Sequence, residues 1–324
     1  MKLASIEIIA DISPHPNADA LEVAKILGWQ TIVKRGQFKA GDKVVFIVID
    51  TILPDAPWSE FLKKGDSKIR LKTIKLRGQY SQGLTLPITV LDEHAQTWQV
   101  GADVGGLLGI KKYEKEIPAC LAGEVKGNFP LHIAPKTDED NGLSNPDIVE
   151  YVLRKPCMAT LKLDGSSCTI IVENGVIQHV CSRNLSLKES DRNGFWIAAK
   201  KLKLGGFKNL IIQGELMGPG VQGNQLGLTE PTLFVYQVKL DSKQWSDHDE
   251  MRSIAIEIGA RYVESIQRDM VGVDIPFLQK LADSVTLPNG QPAEGIVVRQ
   301  QVPESTGNGR PLGFKIINRN YKDT

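Results

Sequence analysis

The sequence predicts an α+β protein of two domains, a small N-terminal β-barrel followed by a larger domain of antiparallel sheets flanked by helices. Two observations lead to this prediction. The chain has 324 residues, of which 41% are hydrophobic, and a single core usually divides beyond about 250–300 residues. Short segments rich in β-branched and aromatic residues recur along the chain between turn-forming residues, which is typical of sheets joined by tight turns.

Five such segments in the first hundred residues predict an OB-type barrel. They are residues 4–12, 29–33, 44–49, 69–76 and 83–88. Residues 36–42 form the predicted turn between the second and third strands, with glycines where φ must be positive. Farther on, scattered prolines and glycines interrupt any periodic pattern. We expect the OB domain to span 1–110, a linker 111–135, and the second domain 136–324.

Residues 63–77 form a basic segment on a chain whose net charge is only +1. The alternation over 69–77 predicts a strand with apolar side chains inward and cations outward. Two interpretations stay open: a solvated edge strand protected by lysines, or a surface of the OB barrel that binds nucleic-acid phosphates. The candidate nucleic-acid contacts are Lys68, Arg70, Lys72, Lys75 and Arg77.

Cysteine spacing and the N-terminal segment exclude other classes. The four cysteines are Cys120, Cys157, Cys168 and Cys181. They form no Cys-x-x-Cys pair and no metal-ligand spacing with the five histidines, so we expect reduced, mostly buried thiols. Glu7 and Asp11 interrupt the first apolar run, unlike the core of a signal peptide. No segment reaches the roughly 18 apolar residues of a membrane span. We therefore expect a soluble, cytoplasmic protein with no membrane partner.

The tetrad 162–165, Lys-Leu-Asp-Gly, lies between two predicted strands, 158–163 and 167–172. Alone it fits a hairpin turn with a solvated lysine. A lysine at the end of a rigid strand is also well placed to act as a nucleophile. Since the ordinary lysine pKa is about 10.4, such a lysine needs cationic neighbours or a metal ion to release its proton.

Five later segments carry polar residues in or beside predicted strands. They are 181–184 with Arg183 and Asn184, 210–216 with Glu215, 233–238 with Tyr236, 293–299 with Glu294, and 313–318 with Lys315. A lone carboxylate among β-branched neighbours is costly to bury unless it is paired or serves a metal. Taken singly, each segment also has a structural explanation, such as capping, ion pairing or core packing.

The order and approximate spacing of these six segments resemble motifs I, Ia, III, IIIa, IV and V of the covalent nucleotidyltransferases, the superfamily of polynucleotide ligases and RNA capping enzymes. The resemblance covers roughly residues 130–324. Within it, the chain is similar to the Deinococcus/Naegleria type of ATP-dependent RNA ligase. In that family an OB module precedes a nucleotidyltransferase module with an ATP-grasp-like ligase fold. Residues 76–84, 129–130 and 136–139 also resemble that family.

Two positions depart from the family pattern. An arginine closely follows the 136–139 block in the family, whereas this chain continues as Asp-Asn-Gly-Leu over 140–143. This chain either replaces that arginine or recognises the triphosphate or RNA end differently. Many relatives carry Lys-x-Lys in motif V, whereas position 317 here is isoleucine, so only Lys315 carries over.

The resemblance implies three nucleotidyl transfers: ATP adenylylates Lys162, the AMP passes to a 5′-phosphate end, and a 3′-hydroxyl then expels AMP to seal the strand. The implied nucleotide-binding residues are Leu161, Lys162, Arg183, Glu215, Tyr236, Glu294 and Lys315. Among these, Tyr236 would stack on adenine, while Arg183 and Lys315 would hold phosphate oxygens. The implied shell of two Mg²⁺ or Mn²⁺ ions is Asp164, Glu215, Glu294 and Asn184, partly through water. The implied partner is RNA, a nicked duplex with an RNA 3′-OH strand, bound by a monomer.

Three other functions are alternatives to an RNA ligase. An ATP-dependent DNA ligase or a GTP-dependent capping enzyme shares the six motifs, but we expect such enzymes to carry an OB domain after motif V, for which this sequence has no room. An NAD-dependent ligase would need a further nucleotide-binding region before Lys162, and no feature of such a region is apparent in the sequence. A non-catalytic RNA-binding protein is suggested by residues 14–21, which resemble the opening of tRNA-binding OB modules and in which His15 is expected to serve a turn. That alternative predicts a dispensable Lys162.

Overall fold

A computed structural model of the chain describes residues 2–63, 69–92, 94, 97–113, 124–241, 244–307 and 309–322. It divides into two compact units. The first comprises Met1–Glu116 with Leu143–Pro146, and the second comprises Ile117–Gly142 with Asp147–Thr324. The linker predicted at 111–135 overlaps both units, and residues 114–123 lie outside the described part. The predicted domain boundaries therefore stay a prediction.

The first unit contains eleven short strands among its described residues. They are β1 (Ala4–Ile8), β2 (Asp11–Pro14), β3 (Leu21–Ile26), β4 (Trp29–Lys34), β5 (Lys43–Ile47), β6 (Thr51–Leu53), β7 (Ile69–Arg70), β8 (Ile74–Leu76), β9 (Gln79–Ser81), β10 (Leu84–Pro87) and β11 (Lys111–Lys112). They pair in the orders β1-β5-β10, β2-β3-β4, β11-β6-β7 and β8-β9. Val45, Ile47 and Leu86 lie in the core that these sheets enclose.

Two of the predicted strands are each divided in the structure. The segment 4–12 breaks after Ile8, so that β1 and β2 join different sheets. The segment 69–76 breaks at residues 71–73, and the alternation changes phase there: Leu71 is buried, but Ile74 is 47% exposed. The expectation that the apolar residues of this whole segment point inward is therefore wrong beyond Leu71. The strand Leu21–Ile26 has no counterpart among the five predicted segments.

The β8–β9 hairpin turns through Arg77 and Gly78, which both have positive φ. His15 and Asn17 hold this turn: His15 Nε2 lies 3.1 Å from the Leu76 carbonyl oxygen, and Asn17 Nδ2 donates to the Arg77 carbonyl at 3.0 Å. The Asn17 backbone N–H donates to His15 Nδ1 at 3.1 Å, so the imidazole bridges two loops. His15 thus has the turn-stabilising contacts expected from the sequence.

The second unit is built on two sheets. Its seven-stranded sheet has the order β12-β17-β16-β15-β18-β19-β20, and its five-stranded sheet has the order β13-β23-β22-β14-β21. The strands are β12 (Val125–Asn128), β13 (Asp140–Asn141), β14 (Cys157–Lys162), β15 (Ser166–Glu173), β16 (Val176–Cys181), β17 (Leu185–Leu187), β18 (Leu210–Met217), β19 (Thr232–Leu240), β20 (Arg261–Tyr262), β21 (Ser265–Met270), β22 (Gly295–Gln300) and β23 (Gly313–Ile317). All pairs are antiparallel except β13 with β23 and β19 with β20.

Four α-helices occur among the described residues: α1 (Pro146–Val152), α2 (Gly194–Lys200), α3 (His248–Glu257) and α4 (Ile275–Ser284). Asn193, Asp247 and Asp274 cap the last three, each accepting a backbone N–H of its helix, which satisfies otherwise orphaned donors. Helices α2 and α3 cover the seven-stranded sheet with apolar side chains such as Trp196 and Met251. The sheets thereby form a rigid frame for the loops between them.

Three of the four cysteines, Cys157, Cys168 and Cys181, are buried and free, and Cys120 lies outside the described residues. No helix in the described part of the chain has the length and apolarity needed to cross a membrane.

Candidate active site

Lys162 is the last residue of β14, and the turn 163–165 connects this strand of the five-stranded sheet to β15 of the seven-stranded sheet. Its ammonium therefore lies where the two sheets of the second unit are joined. Across the β14–β22 ladder Lys162 is opposite Gly295, which places the preceding residue, Glu294, beside it. Lys162 Nζ lies 2.6 Å from Glu294 Oε2, and both side chains are about four-fifths buried, at 21% and 19% exposure.

The turn also places the second glutamate. Ser167 of β15 pairs with Glu215 of β18, and Glu215 Oε1 accepts the Gly165 backbone N–H at 3.1 Å. A Cβ atom on Gly165 would lie 2.5 Å from Met217 Sδ, 2.9 Å from Glu215 Cγ and closer still to the Leu216 carbonyl oxygen. The Lys-Leu-Asp-Gly tetrad thus ends in glycine because the backbone approaches β18 too closely for any side chain.

Replacing Gly165 with alanine is expected to destabilise the protein by about 1–3 kcal/mol, because the added methyl group must displace main-chain atoms. The same shift moves Glu215 relative to Lys162, so the nucleotidyl transfer that the sequence resemblance implies should fall at least about tenfold. Thermal unfolding measures the first effect, and the rate at which the protein takes up label from α-labelled ATP measures the second. Gly205→Ala is the matched control, since a Cβ there meets open space; equal losses in the two variants would contradict this account.

The carboxylates around Lys162 set its protonation state. Burial lowers the pKa of the Lys162 ammonium, but the charges of Glu294, Glu215 and Asp164 outweigh burial, and the net pKa is raised. Burial is also the largest influence on Glu215, whose pKa rises to about 8 despite the attraction of Lys162; repulsion from Glu294 adds to this rise. At neutral pH without ligand, Lys162 is therefore protonated and Glu215 largely neutral.

Lys315 supplies a second, partly buried ammonium. It lies on β23, opposite Val297 of β22 and Asn141 of β13. Burial, followed by repulsion from Lys162, lowers the pKa of Lys315. The two lysines and the three carboxylates thus form one coupled group, in which an added cation near the carboxylates would favour release of the Lys162 proton.

The hydroxyl of Tyr236, on β19, lies near the hydroxyls of Thr137 and Ser167, which are hydrogen-bonded to each other at 2.6 Å. The Arg299 guanidinium lies 5.4 Å from the Tyr236 ring centroid, within the range of a cation–π contact. Arg299 also pairs with the buried Glu139 at 2.6 Å. The ring is thereby held in place from its edge and from one side.

Several side chains of the segment 136–140 pair with residues of the predicted motifs or close to them. Lys136 Nζ donates to Asn184 Oδ1 at 2.7 Å, and Asp138 pairs with Arg183 at 2.5 Å. Asp140 pairs with Arg310 at 2.8 Å. Of the sequence-predicted site residues, Lys162, Asp164, Glu215, Glu294 and Lys315 form one electrostatically coupled group, while Arg183, Asn184 and Tyr236 are tied to 136–140. Leu161 precedes Lys162 on β14.

The predicted nucleic-acid contacts do not share one strand. Arg70 of β7 packs inside the first unit: its guanidinium pairs with Asp50 at 2.7 Å and lies 3.6 Å from the Tyr113 ring centroid. Lys72, Lys75 and Arg77 are exposed, and Lys75 Nζ lies 5.1 Å from the Tyr80 ring centroid. Lys68 lies outside the described residues.

Comparison with known proteins identifies the family. A model of an OB-fold domain matches residues 3–88, and a model of RNA ligases matches residues 155–317, which is half of the chain and contains Lys162, Glu215, Glu294 and Lys315. The chain belongs to the RNA ligase family. The match to the OB-fold model confirms the barrel predicted for the first domain.

Solved structures of an RNA ligase from Naegleria gruberi match this RNA ligase over almost its whole length. A mutant with ATP and Mn has a TM-score of 0.83 and 31% identity, covering 98% of this chain and 97% of that chain. The enzyme with PPi has a TM-score of 0.82 with the same identity and coverage, and a mutant with AMP and Mn has a TM-score of 0.82 at 30% identity with the same coverage. A search of curated proteins finds no match.

Sequence reasoning about this RNA ligase missed residues that contact the site from far along the chain. Glu139 lies in a block that resembles the family, and Arg299 is the last residue of a motif segment, but the sequence assigns neither of them a role. Tyr321 was not considered, although its hydroxyl lies 2.5 Å from Asp164 Oδ2. An aromatic residue shortly after the last strand was the only signal in the sequence that could have indicated it.

Proposed function

We propose that this protein is an ATP-dependent RNA ligase that joins 3′-OH and 5′-phosphate ends through a covalent lysyl-AMP and an adenylylated 5′ end. The observation that carries the proposal is the position of Lys162. Its amine is held by Glu294 at 2.6 Å at the end of a rigid strand, beside Glu215, Asp164 and Lys315. A lysine held in this way is suited to covalent nucleotidyl transfer.

In the first step the unprotonated Lys162 Nζ attacks the α-phosphorus of ATP, the bond from that phosphorus to the bridging oxygen breaks, and pyrophosphate leaves. Glu294 is the nearest acceptor for the lysine proton. Lys315 and Arg183 hold phosphate oxygens in this proposal, and Arg183 exchanges its partner Asp138 for a phosphate. The AMP then passes to a 5′-phosphate, and the attack of a 3′-OH on that end releases AMP.

Tyr236 is the proposed platform for adenine. Its ring is restrained by Thr137, Ser167 and Arg299, so stacking a base on it costs little further ordering. Leu161 is proposed to contact the nucleotide from the strand end next to Lys162.

The carboxylates of the site fit a hard divalent cation. Mg²⁺ and Mn²⁺ prefer oxygen ligands, and Mg²⁺ commonly keeps several waters. Glu215 carries a pKa of about 8 because burial and Glu294 disfavour its charge, and a cation would relieve that cost. Among the described residues, no three His, Cys, Asp or Glu side chains lie close enough to ligate one ion directly. We therefore propose that Asp164, Glu215, Glu294 and Asn184 hold the cation partly through water.

When bound, such cations would neutralise the triphosphate and lower the pKa of Lys162. The Naegleria gruberi structures with ATP and Mn and with AMP and Mn support ATP and a divalent cation as ligands here. We propose that two such ions bind and that Mg²⁺ can serve in place of Mn²⁺.

The RNA substrate is proposed to be a nicked duplex with an RNA 3′-OH strand, bound by a monomer in the cytoplasm. The exposed Lys72, Lys75 and Arg77 of the OB domain support a role in phosphate binding. Arg70 is the weakest of these candidates, because Asp50 and Tyr113 already engage its guanidinium.

A labelling experiment tests the proposal. The protein is incubated with Mn²⁺ or Mg²⁺ and either α-labelled ATP or α-labelled GTP, then denatured. We expect label from ATP alone to remain on the protein. Label from GTP alone would indicate a capping enzyme, and no label from either would refute covalent nucleotidyl transfer. Sealing of matched nicks with an RNA or a DNA 3′-OH terminus then tests the substrate, and equal rates would contradict the RNA preference.

A further inference from the structure

The last strand of the second unit is followed by a turn that returns to the active site. The Tyr321 backbone N–H donates to the Asn318 carbonyl at 3.1 Å. The Tyr321 hydroxyl donates to Asp164 Oδ2 at 2.5 Å and accepts from Gln225 Nε2 at 2.9 Å. Asp164 belongs to the tetrad of the nucleophile, and Tyr321 approaches it from 157 residues farther along the chain.

This turn is anchored independently of Tyr321. The Asn318 backbone N–H donates to the Glu294 carbonyl at 2.9 Å, and its buried side chain donates to the Val285 carbonyl at 3.2 Å. Next to it, Arg319 pairs with Asp283 at 2.5 Å. Because the two residues 318 and 319 are held shortly before Tyr321, the backbone gives the phenol a fixed direction of approach.

Gln225 is anchored as well, since its backbone carbonyl oxygen accepts a hydrogen bond from Asn289 Nδ2 at 2.8 Å. The phenol therefore sits in an ordered chain of donors, from the Gln225 amide through the Tyr321 hydroxyl to Asp164 Oδ2. A phenol, whose ordinary pKa is about 10, carries its proton at neutral pH and donates it to the carboxylate.

A phenol differs from a cation as a partner for this carboxylate. An arginine or lysine would offset the negative charge of Asp164, whereas a neutral hydroxyl orients the carboxylate and leaves its charge in place. One oxygen, Oδ2, is engaged by Tyr321, while Oδ1 accepts no hydrogen bond from the described residues and is open to the reaction. Groups that orient a ligating carboxylate in this way commonly affect metal affinity by 10- to 100-fold.

We propose that Tyr321 is a positioning residue for lysine adenylylation, which fixes the Asp164 carboxylate so that its second oxygen contributes to binding the divalent cation. The inference rests on the proposed function, because it assigns Asp164 to the cation shell. Tyr321→Phe removes the hydroxyl and keeps the ring, so it is the smallest change that tests the assignment. Tyr262→Phe is the matched control: it removes a hydroxyl that accepts a bond from Arg252 at 2.9 Å.

The primary measurement is Mn²⁺ binding by electron paramagnetic resonance in the presence of α,β-methylene-ATP, in which no transfer occurs. We expect Y321F to raise the half-saturating Mn²⁺ concentration about tenfold, with analogue affinity at saturating Mn²⁺ unchanged within about twofold. The rate of lysyl-AMP formation should show the same shift in its Mn²⁺ midpoint. Y262F should match the wild-type protein. An unchanged Mn²⁺ midpoint in Y321F, with or without a lower Tm, overturns the proposal.

A double-mutant cycle tests whether Tyr321 acts through Asp164. D164N alone should raise the half-saturating Mn²⁺ concentration. In the double variant D164N/Y321F this concentration should differ from that of D164N by less than about twofold. A further tenfold loss in the double variant overturns the proposal. If the wild-type protein takes no label from ATP, the proposed function itself fails. If the wild-type protein takes label and Y321F binds Mn²⁺ equally well, the assignment of Tyr321 alone fails.

Discussion

Replacing Lys162 with alanine is expected to abolish the transfer of AMP from ATP to the protein, a loss of at least about 10³-fold. The amine is the proposed nucleophile, and neither Glu294 nor Lys315 can take its place, since the first is a carboxylate and the second binds phosphate in the proposal. Label from α-labelled ATP that survives denaturation is the measurement. Lys280→Ala, which changes an exposed lysine of α4, should label like the wild-type protein.

The same variant separates the role of Lys162 from general damage to the fold. Sealing a strand that is already adenylylated needs no lysine nucleophile, because the 3′-OH attacks the activated phosphate directly. K162A should therefore retain most of the sealing of a pre-adenylylated RNA nick while failing to seal a 5′-phosphate nick. Normal labelling of K162A would contradict the assignment. Loss of both reactions would place Lys162 in a structural role instead.

The parts of this site that could be predicted from the sequence are those encoded in short segments. A lysine before Asp-Gly at a strand end, and glutamates beside apolar strands, are local patterns. Glu215 and Glu294 are found where those patterns indicate, beside Lys162. Strand pairing explains why: the β14–β22 and β15–β18 ladders carry the segments into register.

The parts that could not be predicted depend on side-chain contacts between distant segments. Tyr321 meets Asp164 across 157 residues, and Arg299 meets Glu139 across 160. Neither contact leaves a periodic or compositional signal. The strand predicted over 69–76 divides for a related reason: the pattern changes phase at Thr73, and the turn at Arg77 and Gly78 forms a separate hairpin.

Replacing Glu215 with glutamine is expected to lower the rate of lysyl-AMP formation at least about 100-fold, yet to stabilise the ligand-free protein at pH 8. Glutamine keeps an oxygen to accept the Gly165 N–H and cannot ionise. Activity falls because a neutral amide is a poor partner for a divalent cation. Stability rises because the wild-type carboxyl, buried beside Glu294 and Asp164, ionises at a cost in the folded protein.

The pH dependence has a definite sign. The pKa of Glu215 is about 8 in the folded protein, raised first by burial from an ordinary value of 4.5. Below the ordinary value both states are protonated, and the stability associated with the neutral carboxyl is fully present. Between the two values the unfolded chain loses its proton first, so stability falls as the pH rises, by a few kcal/mol at most. Above the folded pKa the loss is complete.

Thermal unfolding of the ligand-free wild type and E215Q from pH 5 to pH 8.5 tests this prediction. The Tm of E215Q should exceed that of the wild type by about 5 °C at pH 8.5, since 1 kcal/mol corresponds to about 2–4 °C at this domain size, and by much less at pH 5. Glu257→Gln, at an exposed position of α3, should show no such trend. A constant difference across the pH range would mean that Glu215 is already ionised in the ligand-free protein. A Tm difference that grows as the pH rises would mean that the site gives up stability for a carboxylate whose charge is needed only when nucleotide and cation bind.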